Sequence, residues 1–128
     1  MIRISKQTDY GIILLTIISA KGKEPSNARG LSDDTGIPLP MVQKILKLLT
    51  RSSILRSQRG ASGGYTLSGE PENISVAKII ESLEGPIAIT ECCSDENKDC
   101  SFLSRCPTTT HWNVINKTIK KALGGLTL

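Results

Sequence analysis

Residues 36–68, GIPLPMVQKILKLLTRSSILRSQRGASGGYTLS, decide the fold. Pro38 and Pro40 sit where a helix opens, a position that tolerates proline because the first-turn N–H groups have no partner inside the helix. Val42, Ile45, Leu46 and Leu49 then recur at i, i+3, i+4 and i+7, the signature of a buried stripe. Pro40, Gln43, Lys44 and Lys47 share the opposite face, which is polar and basic. Residues 54–59 and 64–68 read as two strands, joined by the flexible turn Gly60-Ala61-Ser62-Gly63. A nucleotide-phosphate loop is a poor alternative: the glycines lack a Gly-Lys-Ser/Thr ending and no helix follows them.

Working back from this stretch, Ser26 is placed to cap a short helix that ends near Thr35, with Gly36 as its break. A short helix, a tight turn and an amphipathic helix with a basic outer face form a helix-turn-helix, whose second helix can enter a major groove. The hairpin after it is a wing. An ordinary two-helix corner is the plainer reading of the helices alone. Residues 5–21 form a first helix, apolar on nearly every side from Tyr10 to Ile18 and so expected between partners. Gly22 fits its stop.

Working forward, Ser75 caps a helix with Val76, Ile79, Ile80 and Leu83 on one face, stopped by Gly85-Pro86. All the cysteines follow together: Cys92, Cys93, Cys100 and Cys106. Ser94, Asp95, Glu96, Asn97, Lys98 and Asp99 lie among them and favour a loop. A last helix covers residues 108–122, with Trp112, Ile115, Ile119 and Ala122 or Leu123 on one side and Lys117, Lys120 and Lys121 on the other. It can fold back on its own domain or pair with a second copy. The expected fold is therefore mainly α: a winged helix-turn-helix with a two-stranded wing over residues 1–85, a cysteine-rich loop over 86–107 and a long C-terminal helix over 108–128.

Charge narrows the function. The net charge is +4, but residues 35–69 hold no Asp or Glu while Lys44, Lys47, Arg51, Arg56 and Arg59 all lie there. That is the electrostatic footprint of a nucleic-acid surface, although a solvated basic face looks the same in sequence. Gln43 can pair bidentately with adenine in a major groove. Lys44, Lys47 and Arg59 suit phosphates, which give affinity and salt dependence without specificity. Gly60 and Ser62 at the wing tip are small enough to approach a phosphate or the minor groove. No signal peptide is visible, and the apolar run from Ile12 to Ile18 is too short to span a bilayer. The expectation is a cytoplasmic protein with reduced thiols and no membrane partner.

A cysteine-dense polar loop cannot bury enough apolar surface to fold unaided, whereas a bound metal centre contributes folding free energy. Thiolates are soft ligands for iron–sulfur clusters or zinc. Structural zinc sites commonly use close Cys-x-x-Cys pairs, and this loop has none. Its gaps are seven residues (six from Cys93) and five. Free thiols, or a Cys100–Cys106 or Cys92–Cys100 disulfide, are the simpler alternatives. A zinc-stapled interaction module and a thiol redox protein are the rival functions. The latter needs an electropositive thiolate, and Glu91, Asp95, Glu96 and Asp99 argue against it. The chain is not expected to be an enzyme.

Several segments resemble the Rrf2 family of winged-helix iron–sulfur transcriptional regulators of bacteria. They are Thr8-Asp9-Tyr10, Gly36-Ile37-Pro38, Ile45-Leu46, the run from Arg59 to Leu67, and Glu84-Gly85. Thr90-Glu91-Cys92, Asp99-Cys100, Arg105-Cys106-Pro107, Trp112 and Ile115-Asn116 resemble the branch that regulates the SUF iron–sulfur assembly operon. The resemblance implies a homodimer that binds double-stranded operator DNA, as a repressor of assembly genes. It also implies three cysteine ligands to an iron–sulfur cluster of two or four irons, with residues 86–107 as the cluster-binding loop and 108–128 as the C-terminal dimerisation helix. Cys92, Cys100 and Cys106 match best, with Cys93 able to replace Cys92. Where some members carry a histidine after the last cysteine, this chain has Thr109, so a fourth ligand would be Asp9 of the partner subunit or a non-protein group rather than His111. The family's base-reading position is often Glu and here is Gln43.

Overall fold

A computed structural model describes residues 2–95 and 100–128; Glu96, Asn97, Lys98 and Asp99, part of the expected loop, lie outside them. Five helices and one antiparallel hairpin make a winged helix. Helix α1 spans Lys6–Ala20, its N-terminus closed by the Ser5 side chain accepting from the Thr8 amide. It buries Leu14, Leu15 and Ile18 completely but leaves Ile13 exposed, so it is covered on one side rather than on all.

Helix α2 spans Ala28–Thr35. Its cap is Asn27, whose Oδ1 accepts from the Gly30 amide at 2.7 Å, and not Ser26 as the sequence suggests. Ser26 is otherwise engaged: its backbone exchanges hydrogen bonds with Tyr65 at 3.0 and 2.8 Å, adding a rung to the wing. Gly36, at φ 73°, ends the helix in the left-handed conformation that a side chain disfavours. Helix α3 spans Leu39–Arg51 and has no side-chain cap. Missing a cap costs a helix about 1 kcal/mol. Val42, Ile45, Leu46 and Leu49 are all fully buried, and each such side chain returns roughly 1.5–3 kcal/mol. Packing wins.

Strands β1, Leu55–Gln58, and β2, Gly64–Leu67, pair in the register Leu55↔Leu67 to Gln58↔Gly64. A Cβ at Gly64 would lie 2.7 Å from the Ser26 carbonyl carbon and oxygen. The motif therefore needs glycine there because wing and α2 approach backbone to backbone. A short 3-10 turn at Pro71–Asn73 leads to α4, Val76–Glu84, capped by Ser75. Another such turn, Glu91–Cys93, opens the cysteine segment, and α5 covers Thr109–Gly124. After α5 the chain returns to its own domain: Val76 donates to the Leu126 carbonyl and Leu128 to that of Ile74, both at 2.9 Å. The core is aliphatic throughout, as one Trp and one Phe require.

Candidate functional site

Two surfaces carry the expected chemistry. On the first, Pro40, Gln43, Lys44 and Lys47 are all exposed on α3, opposite its buried stripe. Arg59, Gly60 and Ser62 are exposed at the hairpin. Arg51, in the last turn of α3, extends the same basic surface. Arg56 does not stand wholly free: its Nε donates to the buried Thr66 hydroxyl at 3.1 Å and braces the hairpin.

On the second, the four thiols are half-buried and none is in a disulfide. Thr90 opens the Glu91–Cys93 turn without a side-chain cap, and its hydroxyl instead reaches both neighbouring sulfurs, Cys92 Sγ at 3.1 Å and Cys93 Sγ at 3.2 Å. Cys106 lies just before α5, with Thr108 Oγ1 3.3 Å from its sulfur. Hydrogen bonds from Thr108 and Thr109 hold the Cys106 thiol down to about 7. A large share is then thiolate at neutral pH, the form that binds metal. Among the described residues no three His, Cys, Asp or Glu side chains are gathered closely enough to hold a metal ion. Asp9 is exposed in the first turn of α1, and His111 is exposed near the start of α5. The donor set suits a soft metal centre in chemistry.

Two polar clamps lie between these surfaces in the chain, one tying α4 to α1 and one tying α5 to residues 87–89, and sequence reasoning saw neither. At the end of α4, Glu84 Oε1 accepts from the Ser5 amide at 3.2 Å and from the Ser5 and Thr8 hydroxyls. These bonds, Ser5's first, hold its carboxyl below the usual glutamate range. Gln7 Nε2 adds a bond to the Leu83 carbonyl at 2.7 Å. On α5, buried Asn116 accepts from the Ile89 amide at 3.0 Å and donates to the Ile87 carbonyl at 3.1 Å. Residues 85–89, which lead to the cysteines, are thus held from both sides. The sequence signal for Asn116 is a polar residue inside the apolar stripe of Trp112, Ile115 and Ile119.

The fold and its exposed basic helix define a winged-helix DNA-binding regulator. Residues 4–128 match the family model "Rrf2: Iron-dependent Transcriptional regulator". The chain belongs to the Rrf2 family of transcriptional regulators and is therefore a regulator, not an enzyme. It is 29% identical over 127 residues to Protein rrf2 of Nitratidesulfovibrio vulgaris, spanning 98% of this chain and 84% of that one. To the regulator CymR of Bacillus subtilis it is 28% identical over 127 residues, spanning 98% and 86%. The solved structure of that CymR superposes with a TM-score of 0.73 over 99% of this chain and 93% of its own. The structure of T. potens IscR has the same fold, with a TM-score of 0.71 at 24% identity over 98% of this chain and 82% of its own. Among the described residues no helix is long and apolar enough to cross a membrane.

Proposed function

We propose that this regulator is a cytoplasmic homodimeric repressor whose DNA grip follows the state of an iron–sulfur cluster, and that it controls iron–sulfur assembly genes of the SUF type. Residues 1–85 bind DNA, 86–107 hold the cluster and 108–128 pair the subunits. The observation that carries the reading is the clustering of every thiol at one end of the chain, in a family described as iron-dependent. Cys92 (or Cys93), Cys100 and Cys106 are the ligands, with Asp9 of the partner subunit as the fourth. An iron–sulfur cluster supplies ligation that oxidation, loss or nitrosylation can change.

This chain's residues do the rest. Gln43 reads a base, while Lys44, Lys47 and Arg59 neutralise phosphates, beside Pro40 on α3 and Gly60 and Ser62 at the wing tip. Asn116 fixes the segment before the cysteines to α5, and Glu84 fixes the end of α4 to the start of α1. A change at the cysteines therefore reaches α1, on which α3 packs. By linkage, cluster state and DNA affinity alter each other equally. Anaerobically prepared protein should be brown and should bind one operator with different affinity before and after iron chelation. Equal affinities would remove the sensing claim.

The likeness to CymR, called the global cysteine regulator of B. subtilis, supports a second reading, in which the thiols answer thiol or redox status with no metal. A colourless, iron-free protein whose DNA affinity responds to thiol oxidation selects that reading. A colourless protein containing zinc selects a stapled interaction module.

A further inference from the structure

The winged-helix reading does not explain why two thiols stand side by side. Along an extended strand, adjacent side chains point to opposite faces. Here Cys92 and Cys93 lie in a 3-10 turn, where residues three apart eclipse one another, so Thr90 stacks over Cys93. The Cys92 sulfur swings to the same hydroxyl. Both sulfurs end within 3.2 Å of Thr90 Oγ1, on one side of the turn and half-buried. Paired soft donors, reachable by a small solute and aimed at one point, suit a small soft acceptor that takes two thiolates.

We propose that Cys92 and Cys93, presented by Thr90, form a dithiol site for trivalent arsenic-type metalloids. In the binding step each cysteine sulfur forms a bond to arsenic as one arsenic–oxygen bond breaks. The thiol proton leaves with that hydroxide as water, so arsenite and two thiols give a cyclic dithioarsenite and two waters. Arsenic remains trivalent, and no electron donor or acceptor is involved. Because Cys92 or Cys93 is also a proposed cluster ligand, the metalloid site belongs to the cluster-free chain, where it needs only the local turn.

Phenylarsine oxide is the probe, since its single arsenic takes two thiols with loss of one water. The full 128-residue chain, reduced and freed of iron, is treated with it. The remaining thiols are then alkylated, and the products are read by intact mass and peptide mapping. One phenylarsenic adduct is expected on Cys92 and Cys93, with Cys100 and Cys106 alkylated. Cys92→Ser and Cys93→Ser should each lose the stable adduct; Cys100→Ser and Cys106→Ser should keep it. Thr90→Val should slow its formation. Circular dichroism checks each variant's fold, and mapping of the unmodified sequence decides the matter even if a variant fails to fold. An adduct mapped to Cys100 and Cys106, or retained in Cys93→Ser, overturns the proposal.

Discussion

Gln43 and Lys47 stand about one turn apart on the exposed side of α3, yet substituting them should have different consequences. Gln43 can satisfy both hydrogen-bonding positions of an adenine edge. Gln43→Ala should cost about 1–3 kcal/mol on the preferred operator and flatten the preference at one base pair. Lys47→Ala should weaken binding to every sequence alike and lower the salt slope by roughly one. Fluorescence anisotropy over a salt series, on matched and mutated operators, separates the two. Glu84 makes a prediction in pH. Its folded carboxyl titrates below the ordinary value because Ser5 and Thr8 donate to the charged form. The unfolded chain therefore binds more protons there, and Glu84's contribution is complete above the unfolded value. It is lost as pH falls through the lowered folded one. In Glu84→Gln, urea unfolding should show a shallower loss of stability across that acid window; an unchanged slope would mean that the clamp contributes nothing.

Among the elements, α5 depends on one polar side chain. Asn116→Ala removes both bonds to residues 87–89 and leaves an amide and a carbonyl half-covered. The loss should be about 1–3 kcal/mol in urea unfolding, with hydrogen exchange accelerated at Ile89 before the wing is affected. The sequence showed α3 and α4 clearly because each follows one helical period; α1, apolar on nearly every side, showed its extent but not which face is buried. The turn glycines also had a single use. It misassigned the α2 cap, because Ser26 and Asn27 are both good caps and only the wing, far along the chain at Tyr65, takes Ser26 out of competition. It could mark Glu84 and Asn116 as family features but not give their partners, since Thr8 and Ile89 lie far along the chain. The cysteines were legible as a group and illegible as a geometry. Hydroxyls at Thr90 and Thr108, not periodicity, engage Cys92, Cys93 and Cys106.

At the scale of the whole molecule, α5 is only half covered by its own chain. Asn116 is buried, and Ile119 and Leu123 line an apolar cleft of about 310 Å³ with Ile2, Ile4 and Ile80. Trp112 and Ile115, neighbours on one face of the first half of the helix, remain 39% and 43% exposed. Large apolar groups left together on a surface mark a contact site. If the chain is the proposed dimer, a second copy of the helix covers this face, because each recognition helix of a two-half-site reader must meet a major groove one turn of DNA, about 34–36 Å, from the other. Ile115→Asp should therefore give a monomer in sedimentation velocity while far-UV circular dichroism stays unchanged, the side chain being exposed. Its affinity for a palindromic operator should fall by about 10²–10⁴, the advantage of tethering two binding units. Affinity for an isolated half-site should hardly move, since Ile115 is far in sequence and in role from Gln43 and Lys47. A dimer that persists in Ile115→Asp, and that keeps full operator affinity, would assign the pairing of subunits to some other surface than α5.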